Sequence, residues 1–483
     1  MSLTKKTAGG FLWLGGVKAT NAILQFAILA ILARLLSPTE FGLMGLALTV
    51  VSFSDIFIDM GFGPAITQKE KLSKTDLHTS FTYSLIFGSI LVFIIWLFAP
   101  AIASFFRNDD LIPILKVISI VLFLRAGITT PLGLMYRELE FKKLSLIQIT
   151  SYALGYGVVG VTLAYLGYGV WSLVIAVISQ TVLSLILYWT FNRKSIGFSL
   201  NKQSFKELIH FGGGYSLSKI FSYGGNQGDK IMIGRILGVE AVGLYDRGYQ
   251  VVKYSASLIG EIIDKVLFSP IARKQNDREL VKNIFLEMTY IFGIIFMPLS
   301  AFIYNNADAI VHIILGNQWD NTIPIVKAMS FVVFFLITTR ISSTIAKSLG
   351  DVYRRAWRTL FYAILVLIGV YIGSRWGVVG VAIAVVLVKL IDYTLAFAQV
   401  AMLTSVKYFQ FLEAHILGVV LFGIYFVLYW VVDKFILIYI DNVFITLVIG
   451  GVVLLITYAL VLVLDFKKTV KKYYSILLKR KKN

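Results

Sequence analysis

Two stretches of this sequence place polar and charged side chains at helical spacing inside long apolar runs. Lys18, Asn21 and Gln25 recur at i, i+3 and i+7, and Lys219, Tyr223, Asn226 and Lys230 at i, i+4, i+7 and i+11. Each set therefore shares one helix face. Lys18 and Lys219 are 201 residues apart, the same interval that separates Arg34-Leu35-Leu36 from Arg235-Ile236-Leu237. A cation near the centre of a membrane span costs at least ~2.5 kcal/mol, so it faces a partner or a wet cavity. Arg125, Lys253 and Arg340 lie in other apolar runs and add positive charge. Such a set suits an anionic group of the pyrophosphate type, which Arg grips bidentately and Lys attracts as a point charge. The competing reading is that these cations neutralise Asp55, Asp59, Asp229 and Glu261 as structural pairs. Those four acids are also candidate ion-coupling groups, because low dielectric pushes a carboxylate toward neutral pH.

Catalytic chemistry finds little support. His78, His210, His312 and His415 are scattered and make no metal-ligand spacing, and there is no nucleotide-binding phosphate loop. With no cysteine, disulfides and thiolate chemistry are excluded. No catalytic residue, metal or cofactor is expected, and the chain does not read as an enzyme.

The elements that must position these residues are set by hydropathy. Of 483 residues 58% are hydrophobic and 15% charged, a composition for which lipid is the main solvent. Runs of about twenty apolar residues, enough to span a core ~30 Å thick, recur at 11–33, 41–62, 79–99, 114–133, 144–165, 171–189, 208–232, 241–268, 284–303, 323–346, 359–373, 378–403, 411–432 and 443–464. The expectation is an all-α, polytopic protein of about fourteen transmembrane helices. No small-residue cleavage site follows the first run, so it reads as a retained span. Lys116, Lys265 and Lys327 lie near span ends and can snorkel, while Lys389 and Asp392 can pair at i, i+3. With the N-terminus inside, Lys and Arg crowd the cytoplasmic loops, so both termini are expected in the cytoplasm. The net charge of +19 then points to anionic lipid, with the basic tail as an anchor, and not to nucleic acid.

An internal duplication organises the spans. IPILKVISIVLF from Ile112 matches IPIVKAMSFVVF from Ile323, 211 residues on, and Gly42-Leu43 matches Gly243-Leu244 at the 201 interval. Each half holds six spans, so the two are parallel repeats. The division is 1–206 for spans 1–6, 207–404 for spans 7–12, and 405–483 for two extra C-terminal helices and the tail. This arrangement usually puts a substrate path between the halves. Gly212-Gly213-Gly214, Gly224-Gly225 and Gly228 are expected to bend the seventh span as a gate, or to let neighbours approach it closely.

The segments LARLLSPTEFGLMGLA, GFGPAITQKEKLS, LEFKKLSLIQI, GYGVWSLV and GDKIMIGRILGVEAVGLYDRGYQ resemble the polysaccharide-transporter, or Wzx-type flippase, family of the multidrug/oligosaccharidyl-lipid/polysaccharide superfamily. The branch nearest in pattern is that of lipopolysaccharide or teichuronic-acid exporters. The resemblance implies a MATE-like fold of two six-helix lobes plus two helices, working by alternating access in the bacterial inner membrane. It implies undecaprenyl-diphosphate-linked oligosaccharide as cargo, with Lys18, Gln25, Arg125, Lys219, Asn226, Lys253 and Arg340 carried over as substrate-binding residues. A monomer is expected, with glycosyltransferases or a polymerase of the same pathway as partners. Two other readings stand beside it: a cation-coupled drug exporter, disfavoured by excess Lys and Arg, and a membrane-embedded polymerase, disfavoured by short external loops.

Overall fold

The computed structural model describes residues 20–59, 61–253, 271–272, 275–440 and 442–480, and among them finds helices and turns with no strand. Nine of these helices are long and apolar enough to cross a membrane, or ten if Asn317–Met329 and Val332–Ser348, bent by 48°, count as one span. Residues 11–19 of the first expected span and 254–268 of the eighth lie outside the described residues. The seventh is helical throughout but more polar than the rest. The count of fourteen therefore stands as an expectation.

The chain forms two compact units. The first comprises Met1–Arg247, Ile314–Trp319 and Thr359–Val381. Its helices are α1 (Thr20–Leu35), α2 (Pro38–Asp59), α3 (Phe62–Gln68), α4 (Lys74–Phe106), α5 (Leu111–Ile118), α6 (Ile120–Arg137) and α7 (Phe141–Tyr152). From α7 the chain continues through a π-helical stretch, Ala153–Gly160, into α8 (Val161–Tyr165), and α9 (Val170–Phe191) and α10 (Lys202–Ile236) follow. Helix α11 occupies 239–253 and leaves this unit after Arg247.

Local chemistry sets the helix ends. Ser37 and Glu40 cap α2 reciprocally, the Ser37 N–H donating to Glu40 at 2.6 Å and the Glu40 N–H to Ser37 Oγ at 3.3 Å. Pro38, with no N–H to satisfy, opens the helix. Ser73 and Asp76 form the same box on α4, and Asn201 caps α10 through the Ser204 N–H at 2.9 Å. The C-terminal carbonyls of α1 are met by side chains of 314–319: Trp319 Nε1 donates to Ala33 O at 2.8 Å and Gln318 Nε2 to Leu36 O at 2.9 Å. In lipid such capping is obligatory, because no water replaces a missing partner.

Small residues bring the helices of this unit together. A Cβ on Gly88 of α4 would lie 2.7 Å from Ala126 of α6, and one on Gly127 would lie 2.9 Å from Leu185 of α9. Pro131 interrupts the α6 ladder, and Asn192 Nδ2 donates to its carbonyl at 3.3 Å. Helix α10 is hydrogen-bonded as one element despite its glycines. Gly225 and Gly228 admit Tyr362 and Leu367, so at these two positions close approach, and not a break, is what the structure realises.

The second unit comprises Gly248–Ile313, Asp320–Arg358 and Ala382–Asn483. Its helices are α12 (Arg278–Asn305), α13 (Ala307–Ile314), α14 (Ile323–Met329), α15 (Val332–Ser348), the start of α16 (Val352–Gly373), most of α17 (Gly377–Thr404), α18 (Tyr408–Phe435) and α19 (Val443–Arg480). Helices α18 and α19 are the two expected outside the duplication, and both pack on α12. Gly418 meets the Gly293 backbone, where a Cβ would come within 2.7 Å. Asn306 donates to Tyr425 Oη at 3.0 Å and accepts from Tyr429 at 3.3 Å. The expected snorkelling of Lys327 ends in an ion pair with Asp308 at 2.7 Å.

Candidate functional site

The first unit encloses an open cavity of about 1230 Å³. Its wall, of mostly polar residues with Leu132 among them, is written on four helices at helical spacing. Helix α2 supplies Ser52 and Asp55; α6 supplies Arg125, Thr129, Leu132 and Tyr136; α9 supplies Gln180, Ser184 and Tyr188; α10 supplies Lys219, Tyr223 and Asn226. One face of α6 thus reads i, i+4, i+7, i+11, and one face of α9 reads i, i+4, i+8. Helix α3 adds Thr67 and Gln68 at the edge.

The chemistry centres on Arg125 and Asp55, whose Nη1 and Oδ2 are 2.6 Å apart. Both side chains stay about a third exposed, at 35% and 34%, so water in the cavity screens the pair. Such a pair contributes little net stability and is exchangeable. Lys219 lines the same space on α10. Tyr223 uses its hydroxyl to donate to the Thr49 carbonyl of α2, fixing that face of α10. Gln180 is placed by the π-helical stretch, where Gly155 comes so near that a Cβ would lie 2.6 Å from the Gln180 Cβ. π-helical turns of this kind cluster at functional positions.

The cavity edge is held by charges outside the spans. Arg137, at the end of α6, caps α3 by donating to Ile66 O at 3.0 Å, Glu70 O at 2.9 Å and Lys69 O. Lys69 Nζ bridges Asp76 and Glu207, each at 2.8 Å. Burial works against the Lys69 ammonium, but hydrogen bonds to the two carboxylates outweigh it and raise its pKa above 10.5. The hydrogen bond from Lys69 in turn lowers the exposed Glu207 carboxyl below 4.5.

Of the residues singled out in the sequence, Asp55, Arg125, Lys219, Tyr223 and Asn226 come together here. For Arg125 the pairing alternative is realised, with Asp55 as partner. Gln25 sits half-buried on α1, outside the cavity's lining. Lys230 turns away from its stripe to meet Asp246, which Arg247 also holds at 2.5 Å. Asp229 is buried, accepting from Tyr245 Oη at 2.8 Å and the Lys230 N–H at 2.8 Å. Lys253 and Arg340 belong to the second unit: Lys253 lies 5.6 Å from the Tyr249 ring, and Arg340 lines a separate pocket. Lys18 and Glu261 lie outside the described residues, as does the side chain of Asp59. Gln180, Ser184, Thr129 and Tyr136 escaped the sequence reading, which followed charge; the polar stripes on spans 4 and 6 would have found them. Among the described residues no group of three His, Asp or Glu could hold a metal ion.

A bundle of membrane helices around a polar, part-cationic cavity defines a polytopic protein of the transporter class. The profile of the polysaccharide biosynthesis protein family matches residues 31–324, and the chain belongs to that family. It is 27% identical to the teichuronic acid biosynthesis protein TuaB of Bacillus subtilis (strain 168), covering 88% of this chain and 90% of TuaB. It is 25% identical to the lipopolysaccharide biosynthesis protein WzxC of Escherichia coli (strain K12), covering 82% of this chain and 81% of WzxC. In fold it resembles the lipid II flippase MurJ in its inward closed conformation, with a TM-score of 0.77 at 11% identity over 95% of this chain and all of that one.

Proposed function

We propose that this protein flips an undecaprenyl-diphosphate-linked oligosaccharide across the cytoplasmic membrane by alternating access, for cell-surface polysaccharide synthesis. The observation that carries the reading is the cavity in which Arg125 and Lys219 share a polar wall of amides and hydroxyls. At about 1230 Å³ it exceeds ordinary small-ligand pockets of roughly 300 to 1,000 Å³. Its hydroxyls and amides suit sugar, and its cations suit phosphate. In this mechanism the incoming diphosphate takes Arg125 from Asp55, which leaves that carboxylate as a candidate ion-coupling group. Release of cargo on the far side restores the pair. The polyprenyl tail stays in lipid throughout. Lys18, Gln25, Lys253 and Arg340 are proposed to act along the same path, and Asp59, Asp229 and Glu261 as further coupling groups. The repeats 1–206 and 207–404 are proposed to move as lobes, with both termini cytoplasmic and the chain a monomer beside glycosyltransferases or a polymerase of its pathway.

The test is flipping of a fluorescent lipid-linked oligosaccharide by the purified protein in proteoliposomes. Wild type is expected to move it between leaflets, and the Arg125→Ala, Lys219→Ala double variant to lose at least about 90% of the rate while staying folded, from two lost charge-assisted contacts. Equal rates in the two would sink the reading.

A further inference from the structure

The second unit carries its own concentration of positive charge. Helix α15 presents Thr339, Arg340, Ser343 and Lys347 to a pocket of about 310 Å³, which Arg355 of α16 and Lys389 of α17 complete. Arg340, Ser343 and Lys347 follow i, i+3, i+7 on one helix face. Among the described residues the lining holds four cations and no carboxylate. Directly behind it Arg358, its side chain only 9% exposed, donates Nη2 to Ser343 Oγ at 2.8 Å. Its Nε and Nη1 are buried and make no hydrogen bond among the described residues. Asp392 lies 3.8 Å from Arg358 and 4.0 Å from Lys389.

Position narrows the ligand. Lys347 is exposed next to the turn that joins α15 to α16, while Arg340 lies eight residues up the helix from Ser348. At 1.5 Å per residue the site spans about 12 Å from the helix end, with its exposed mouth at Lys347. A pocket of this size sits at the bottom of the range for small ligands and holds a headgroup, not an oligosaccharide. Three helices that spend four cations on so small a volume are matched to a compact anion bearing more than one charge.

We propose that this pocket is a binding site for the phosphoryl headgroup of a membrane lipid, with the diphosphate as the best-matched form. The guanidinium of Arg355 and the ammonium groups of Lys347 and Lys389 contact the phosphate oxygens, Arg340 closes the inner end, and Arg358 holds Ser343 in the wall. The lining belongs to the second unit; a diphosphate lipid bound here rests, through Arg340, on the cargo reading above, whereas an anionic lipid in general does not.

Because the chain has no cysteine, Ser343→Cys in the full-length protein gives a reporter of this pocket alone, with Thr339→Cys as a second. In phosphatidylcholine vesicles, millimolar inorganic pyrophosphate is expected to slow thiol labelling at least about tenfold, and the Lys347→Gln, Arg355→Gln pair to abolish that protection. Raised salt weakens it too. Vesicles doped with undecaprenyl diphosphate or with phosphatidylglycerol separate the sources. Protection by the first alone assigns the site to diphosphate lipid, and protection by both assigns it to anionic lipid in general; either upholds a phosphoryl site. Labelling that ignores pyrophosphate, or protection that survives the double variant, overturns the proposal. So does a pocket in which neither cysteine reacts, since a site closed to a small thiol reagent is closed to pyrophosphate.

Discussion

At the residue scale the Arg125–Asp55 pair, about a third exposed, can lock two helices or lend its cation to a ligand. Asp55→Asn separates these roles. If Arg125 is lent, removing its competitor tightens binding of a diphosphate headgroup several-fold, as titration calorimetry would show. If the pair only locks α2 to α6, binding stays unchanged and the melting temperature drops by the equivalent of about 1 kcal/mol. Lys69 makes the opposite case, a pair built to stay. Its folded pKa lies above 10.5, so its contribution is complete below 10.5 and is lost as pH rises through the raised value. Glu207 is held below 4.5, so its contribution is present above 4.5 and is lost as pH falls through the lowered value. The bridge is therefore constant across neutral pH. Lys69→Met should cost about 1 to 3 kcal/mol, since it leaves the Asp76 side chain, 4% exposed, without its cation. The loss in thermal melting should be equal at about pH 6 and pH 9, and a loss that changes between them would contradict the assignment. Charge patterns made Arg125 and Lys219 legible in the sequence. The hydroxyl and amide wall was not, because single Thr, Ser and Gln residues in apolar runs look like ordinary helix-packing residues.

At the scale of elements, the duplication supplies a contact that neither half predicts alone. Gly42 of α2 and Gly243 of α11 are 201 residues apart, as are Pro38 and Val239. A Cβ on Gly42 would lie 2.0 Å from the Val239 carbonyl oxygen, and one on Gly243 would lie 1.9 Å from that of Pro38. Equivalent glycines thus make reciprocal contacts, so the starts of α2 and α11 meet about a local two-fold relation. Gly42→Ala or Gly243→Ala forces these helix starts apart, an overpacking cost of about 1 to 3 kcal/mol. A transporter that opens and closes here would shift by about 5- to 150-fold toward the separated state. Spin labels at Thr39 and Glu240 should then report a longer mean distance in each variant, and an unchanged distance with full flipping would remove the contact from the transport cycle. The repeat interval was readable from Arg34 and Arg235. That the matched glycines face one another was not, because sequence equivalence says nothing about which copies touch. The long helices were legible for a simpler reason: lipid leaves the backbone no alternative to helix. Of the two readings of the α10 glycines, close approach is what Gly225 and Gly228 show, where Tyr362 and Leu367 fill the space.

For the whole molecule, the proposed orientation fixes the sign of the driving force. Reporters fused after Leu200 and Gly350 should read cytoplasm and one after Ala307 the outside, by the asymmetry of Lys and Arg in the loops; an inverted pair would overturn the orientation. Given that orientation, a headgroup with two negative charges moving outward across an inside-negative potential goes downhill by ~4 to 5 kcal/mol per 100 mV, at ~2.3 kcal/mol per charge. The potential alone then biases flipping outward, and no second ion is required by the energetics. Two consequences of the proposed mechanism would modify this. Cavity cations that travel with the cargo reduce the charge moved, so the response is smaller than the full value. An ion bound at Asp55, if that residue is the proposed coupling group, would add positive charge to the charge moved. In proteoliposomes, outward flipping of the lipid-linked sugar should accelerate under an inside-negative potassium–valinomycin potential and slow when the potential is reversed. An ion gradient imposed at zero potential tests Asp55 as the proposed coupling site: if it couples, wild type responds and Asp55→Asn does not. Flipping that ignores the potential in both directions would mean that the charge crossing the membrane is already balanced within the protein, and the carboxylates would then carry the coupling.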